Sequence, residues 1–438
     1  MQKSQIPRST APASLAPDLL RRFLRYVRMD TQSQPDAKTT PSTQGQWDLL
    51  RLLQGELRAM RARHIYLSRQ GHLMATIPAT ANNPKIPTVA FLAHVDTSPD
   101  FSAAKVKPIV HRQWNGKPIR LPDDPARMLD ARQVAELRDA RGKDIVTAGG
   151  KTLLGADDKA GVAIIMALAG FLLRHPEIPH GPIRIGFLPD EEVGLLGASS
   201  LDLARFGADL GYTLDGQGLG EVVGESFSAE SATVTIQGVA AHPGEAKKQR
   251  MVNAVHFAGK LLAALPREFI CPETTDDHEG YLHPLKINGN AAATTISFLL
   301  RDFDDAGLAD KRKRLTGLCR GLAATEPRVA IRCEFSPSYR NMAEVLRRDS
   351  RPVDLAREAM RSLGIEPQSP PIRGGTDGSC LSQHGLPTPN LSNGSHNPHG
   401  PLEWVAVQDM EIAGRVCLEL VQLWAQKGAG YRGYAKRN

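Results

Sequence analysis

The sequence predicts an α/β protein interrupted by a smaller α+β insertion. Three observations carry this. Short apolar runs alternate with helical patterns over the first half of the chain. After Gly224 the texture changes to alternating, strand-like segments around one helix. The α/β pattern then resumes and runs towards the C-terminus.

Taken in order, residues 1–17 are rich in Ser, Pro, Ala and Gln and read as a loose tail, with helix beginning near Asp18. Residues 46–63 repeat at helical spacing. Residues 87–93, 183–188 and 212–214 are short, mostly apolar or β-branched, and bounded by turn residues. They read as strands of a buried parallel sheet. Helices at 159–174 and 197–206 lie between them. The longest apolar run, 162–173, is broken by Gly170 and falls short of the roughly 20 residues that span a bilayer, so a buried helix is expected and no membrane partner. In the insertion, 233–239 alternates like a strand, 252–265 is helical, and 294–303 and 328–335 are strand-like. Helices at 342–346 and 353–363, a strand at 387–391 and a last helix at 407–424 complete the chain. The expected domains are 1–225 with 338–438, discontinuous, and an insert at 226–337.

A length of 438 residues exceeds one ordinary core and suits two domains. Hydrophobic residues are 41% and charged residues 23%, the balance of a globular protein. The net charge is 54 − 47 = +7. It is spread out, apart from clusters such as Lys311-Arg312-Lys313-Arg314 and a basic C-terminal end. No aromatic stacking motif accompanies it, so no nucleic-acid partner is expected. The charge reads as a solvated face, or as a mild attraction for anionic peptide termini. The five cysteines, Cys271, Cys319, Cys333, Cys380 and Cys417, are odd in number and form no C-x-x-C pair. Lone buried or half-buried thiols are expected rather than disulfides or a Cys-type zinc site. The N-terminal residues lack the apolar core of a secretory signal, which points to the cytoplasm.

The chemistry sits where strands end. His94 and Asp96 follow the first run, Asp190, Glu191 and Glu192 the second, and Asp215 the third. Asp157 opens the helix after Gly155-Ala156. In open α/β sheets ligands bind outside the carboxyl ends of the strands. Carboxylates gathered there repel one another unless a cation joins them. Imidazole with Asp and Glu suits zinc, and two ions sharing a carboxylate would lower the pKa of a water between them. Each piece alone has a plainer reading: a structural His-x-Asp, a solvated Glu-Glu pair, an Asp N-cap. Their order and common placement at strand ends argue for the site.

The segments His94-Val-Asp-Thr-Ser-Pro-Asp100, Thr152-Leu-Leu-Gly-Ala-Asp-Asp-Lys-Ala-Gly161, Pro189-Asp-Glu-Glu-Val-Gly194 and Tyr212-Thr-Leu-Asp-Gly216 resemble tripeptide aminopeptidases of the peptidase T type, within a larger family of di-zinc exopeptidases and deacylases. The likeness continues in Ala241-His-Pro-Gly244, Met251-Val-Asn-Ala254, Arg301-Asp-Phe303, Arg373-Gly-Gly-Thr-Asp-Gly378 and Asn397-Pro-His-Gly400. It implies a mixed sheet between helices, carrying two zinc ions, and an inserted lid that also serves dimerisation. One zinc would be held by His94, Asp215 and a bridging Asp157, the other by Glu192, His399 and the same Asp157. Cobalt or manganese would also suit these donors. The resemblance makes Glu191 the general base, Asp96 the residue orienting His94, and His242 a stabiliser of the developing oxyanion, from its own subunit or across a dimer. Arg373 would grip the substrate carboxylate, with Asn341 and Asn253 as contacts to the substrate backbone. His396 competes with His399 only if the loop register differs.

The implied activity is removal of the N-terminal residue from short peptides. The rivals are a related dipeptidase, carboxypeptidase or N-acyl-amino-acid deacylase, and a non-catalytic, metal-dependent peptide-binding protein. Two stretches depart from the family pattern: residues 114–143, and the Gly/Ala-rich residues 287–293 of the insert. Peptide length, the preferred first residue, the metal used in the cell and the oligomeric state are not legible in the sequence.

Overall fold

The computed structural model describes residues 15–265 and 270–431. The expected tail at 1–14 and the basic C-terminal end lie outside them. Two compact units emerge: one runs to Gly224 and takes up Val345–Pro370 and the chain from Thr376, while the other holds Glu225–Glu344 and Pro371–Gly375.

The first unit is built on a seven-stranded mixed sheet. Its order is Arg63–Leu67, Leu73–Ile77, Ile183–Leu188, Val89–His94, Leu210–Gly216, Asn390–Ser392 and Val222–Val223. The four consecutive strands from Ile183–Leu188 to Asn390–Ser392 are parallel, and the flanking strands are antiparallel. Val89–His94 is buried at every position, as a strand covered on both faces must be. The helix Ala156–Arg174 is apolar almost all round. Such a helix is driven inside, and it packs on three of these strands, Leu73–Ile77, Val89–His94 and Leu210–Gly216, and on the helices Ala16–Tyr26 and Val407–Lys427. A second, antiparallel sheet joins Ser395–His396, Trp404–Ala406, Ile145–Thr147 and Ile109–His111. It covers a small core of Trp114, Leu121, Leu129, Leu137 and Trp404, which accounts for the unfamiliar stretch 114–143.

The second unit is an antiparallel sheet in the order Tyr281–Gly289, Ala293–Asp302, Ser228–Gln237 and Ala330–Pro337. Helices Ala254–Ala263 and Asp305–Ala324 close a core around Val234, Ile236, Phe257, Ile296, Phe298 and Leu315.

Three expectations need correction. The helix expected at 46–63 is Gln44–Ala59, because Arg61 turns to a positive φ of 63° and Arg63 starts a strand. The helix expected at 197–206 is two short ones, Leu196–Ser199 and Leu203–Phe206. Asp202 caps the second by accepting from Arg205 N–H. The cluster Lys311 to Arg314 is not wholly a solvated face: it lies on helix Asp305–Ala324, with Lys311 buried against Asp302. All five cysteines are free thiols, four buried and Cys333 half-buried. Among the described residues no helix is long and apolar enough to cross a membrane.

Candidate metal centre

The parallel block aims its carboxyl ends at one edge. His94 ends its strand, Asp215 lies near the end of the neighbouring one, and Leu92 pairs with Thr213, two residues before each. Glu191 and Glu192 follow the third strand and His399 follows the fourth. Asp157 comes from the mouth of helix Ala156–Arg174. Gly155, in the left-handed region at φ 78°, turns the chain there, and Asp157 itself leaves helical geometry. Two triads form: His94, Asp157 and Asp215, and Asp157, Glu192 and His399, each with donor atoms within 4.8 Å of one another. His94 Nε2 lies 3.0 Å from Asp157 Oδ1 and 3.8 Å from Asp215 Oδ1. His399 Nε2 lies 2.9 Å from Glu192 Oε1 and 3.5 Å from Asp157 Oδ2. Asp157 thus serves both groups, one oxygen to each imidazole.

The ring orientations are fixed from behind. His94 Nδ1 lies 3.1 Å from the carbonyl oxygen of Asp96 and 3.4 Å from its Oδ1. A carbonyl only accepts, so Nδ1 carries hydrogen and Nε2 of the neutral ring is bare. The Asp96 carboxylate also accepts from the backbone N–H of Glu191, at 3.0 Å, and of Glu192, at 3.1 Å. It thereby ties the His94 strand to the loop carrying both glutamates. His399 Nδ1 lies 3.2 Å from Asp100 Oδ2.

This geometry fits a pair of cations. A bare Nε2 facing two carboxylates needs a positive charge between them, a proton or a metal. Burial alone would lower the pKa of His94, but Asp157 and Asp96 raise it well above its ordinary value. Asp157 and Glu192 push His399 up to about 11. Against burial, His399 and His94 hold Asp157 low. Burial raises Glu191, Glu192 and Asp215, and Asp157 pushes Asp215 further. Without a metal, protons therefore supply the missing charge. Glu192 Oε1 is buried and lies 2.9 Å from His399 Nε2. With an Asp157 oxygen these ligating atoms gather within 4.8 Å of one another, the spacing a shared cation needs.

The remaining expected residues divide. His242, in the second unit, is exposed; its Nδ1 accepts from Gly244 N–H at 3.2 Å, leaving Nε2 to donate. Asn253 caps helix Ala254–Ala263 by accepting from Val255 N–H. Asn341 departs from the expected substrate contact. Its oxygen accepts from Ser226 and Ala343 N–H and its nitrogen donates to the Phe303 carbonyl, so this buried amide is engaged by the backbone with one N–H left over. Arg373 departs likewise. Its terminal nitrogens donate to the carbonyls of Asp277, Glu279 and Thr275 and to Thr275 Oγ1, and the guanidinium lies over Phe227 and Tyr281. Four terminal N–H groups so engaged leave no fork for a carboxylate. Asp190 turns away from the cluster towards Ser42 and Gln46. His396 is buried against the Trp404 ring and belongs to neither triad.

Four carboxyl groups escaped the sequence reading. Asp158 accepts from His94 N–H, Gly161 N–H and Asn393 Nδ2 inside the core. Glu403 accepts from Leu154, Gly155 and Asp157 N–H. Asp100 stands behind His399. Asp377 starts helix Asp377–Gln383 with Oδ1 buried and unpartnered among the described residues, and burial pushes it up to about 7. Asp100, Asp158 and Asp377 lay inside segments that carried the family likeness, and Glu403 lay outside them.

The model of the peptidase family M20/M25/M40 matches residues 153–423. The chain belongs to this family. As an M20/M25/M40 peptidase it is a hydrolase acting as an exopeptidase. Peptidase T of Geobacillus thermodenitrificans is 43% identical over 410 residues, spanning 94% of this chain and 99% of its own. Peptidase T of Listeria monocytogenes is 40% identical over the same shares. Among solved structures, a tripeptidase from Staphylococcus aureus aligns with a TM-score of 0.74 at 22% identity, covering 94% of this chain and 99% of that one. A Bacillus subtilis M20 peptidase described as dinuclear metal binding aligns at 0.63 and 14% over the same shares. At such identities the structural likeness is one of fold.

Proposed function

We propose that this M20 peptidase is a metal-dependent aminopeptidase that removes the first residue of short peptides, tripeptides above all. The observation that carries this is the pair of triads sharing Asp157. His94, Asp157 and Asp215 would hold one divalent ion and Asp157, Glu192 and His399 the other, zinc by the chemistry of the donors. Bound there, such ions supply polarisation of a carbonyl oxygen and a water of lowered pKa. The chain supplies the rest. Glu191 stands beside the ligand Glu192, and burial raises its pKa, with the negative charges of Asp215 and Glu192 adding to the rise. It is the group free to take a proton from the attacking water and pass it to the leaving amine. Asp96 keeps His94 and the glutamate loop in register. His242 offers Nε2–H to the carbonyl oxygen as negative charge develops there. The inserted unit acts as lid and pairing domain; its edge strand Tyr281–Gly289 exposes Leu285 at 58% and Ile287 at 50%, a face suited to a second copy.

The peptidase T names of the full-length relatives support the substrate class. The test is product analysis by mass spectrometry, with the zinc-loaded protein given Met-Gly, Met-Gly-Gly, Met-Gly-Gly-Gly and N-acetyl-Met-Gly-Gly. Release of Met from the tripeptide, with little from the others, is the expected result. Preferred cleavage of the dipeptide or the acetylated peptide would reassign the substrate to the rival exopeptidases and deacylases. No cleavage at all would favour the peptide-binding reading.

A further inference from the structure

Asp157 is the ligand common to both triads, so whatever fixes its loop fixes both at once. The loop is fixed by Glu403. This side chain is 1% exposed. Its Oε2 accepts from Leu154 N–H and Gly155 N–H, each at 2.7 Å, and its Oε1 accepts from Asp157 N–H at 2.9 Å. Three backbone donors of one short loop thus converge on one carboxylate. Glu403 is itself well anchored. It precedes strand Trp404–Ala406, where Trp404 pairs with Thr147 in the antiparallel sheet. It also follows His399 by four residues. The same segment therefore carries a ligand of one triad and grips the loop of the ligand shared by both, across 246 positions of sequence.

We propose that Glu403 is the positioning residue of the two-ion centre, setting the place of Asp157 relative to His399 and, through Asp157, relative to His94. This rests on the two-ion reading above. Glu403 belongs to neither triad. Its effect runs through the three N–H groups. A carboxylate is the one side chain here with acceptors on both oxygens and no hydrogen of its own. In Glu403→Gln one of the two oxygen positions becomes an NH2 group, which meets a backbone N–H donor to donor. The loop must shift, and Asp157 with it. Groups that orient metal ligands in this way change affinity by about 10- to 100-fold when lost.

The test is calorimetric titration of metal-stripped protein with zinc, a readout independent of turnover. Wild type should take up two ions per chain. Glu403→Gln should weaken both uptake events together, by about 10- to 100-fold. Glu403→Asp keeps the charge but retreats by one methylene, so a smaller joint weakening reports geometry rather than electrostatics. It also decides the matter if the Gln variant fails to fold. Asp100→Asn, which touches only His399, should weaken one event and spare the other. Two wild-type affinities in a folded Glu403 variant, or loss of one event alone, would overturn the assignment. A wild type that takes up fewer than two ions would instead sink the two-ion reading, and this inference with it.

Discussion

His396 is a histidine the fold refuses to charge. It is 9% exposed, and its ring stacks on Trp404 with centroids 4.1 Å apart and planes 13° from parallel. Burial lowers its pKa from 6.5 to about 4; Glu136 opposes the shift and Lys143 assists it. The unfolded chain takes up this proton near pH 6.5, the folded one only near pH 4. Within that window the unfolded state binds more protons, so stability is full above pH 6.5, falls as pH drops, and has lost the whole contribution by about pH 4. The gap, 6.5 − 4, is about 2.5 pH units. At about 1.4 kcal/mol per unit this amounts to about 3 kcal/mol. His396→Phe keeps a flat ring on Trp404 and removes the titration. Urea unfolding of both metal-free proteins at pH 7 and pH 4 measures the difference. Wild type should lose about 3 kcal/mol more than the variant. An equal loss in both, or a His396 imidazole resonance titrating near pH 6.5, would refute the reasoning.

Three further outcomes are expected. Glu191→Gln should lower kcat by about 100- to 10,000-fold while zinc uptake, read by calorimetry, stays intact; a variant retaining near-full turnover would remove Glu191 from the role of base. Zinc added to metal-free protein at pH 7 should release protons, because His399, held up at about 11, must lose its proton to become a ligand. Affinity should therefore rise with pH, and a pH-independent affinity would contradict the assignment of His399. In the second unit, Phe298→Ala opens a hole in a core closed by Val234, Ile296 and Leu315 and should cost about 3–5 kcal/mol in its unfolding transition, measured by calorimetry.

Much of the fold was legible because its buried strands and helices are written in uninterrupted apolar residues. Ile183–Leu188 was read with the right ends, and helix Val407–Lys427 began where expected. What stayed hidden was hidden for physical reasons. The edge strand Tyr281–Gly289 contains Pro284, Lys286, Asn288 and Gly289, poor strand formers that an edge tolerates. Its register slips between Pro284, opposite Phe298, and Lys286, opposite Ser297, which leaves Leu285 as the extra residue of a bulge. Helix Asp305–Ala324 was masked by its run of basic residues. Its apolar stripe is narrow, with Leu308, Leu315 and Cys319 alone of its apolar residues fully inside. The short strands around Trp114–Lys117 and Trp404 are three residues long or less in several cases, and periodicity carries little signal at that length.

The candidate site shows where local sequence stops being informative. Its acidic residues fall into two populations that look alike in the sequence and differ only in what they touch. Asp96, Asp158, Asp190 and Glu403 spend their oxygens on backbone and amide donors. Each is a brace between separate stretches of the chain. Asp157 faces both imidazoles, Glu192 faces His399 and Asp215 faces His94, while burial raises Glu191. The second set holds the carboxylates of the two triads, which the proposed ions would join. Sequence motifs had singled out all four of the second set, because each stands at a strand end or a helix mouth. They missed Asp158 and Glu403 in the first, because a brace is defined by a partner that can lie 246 positions away, as Glu403 does from Asp157. Removing a brace and removing a ligand should therefore differ in kind. On the two-ion proposal, loss of Asp157 would delete a donor from both sites, whereas loss of Glu403 would leave every donor in the chain and misplace one of them.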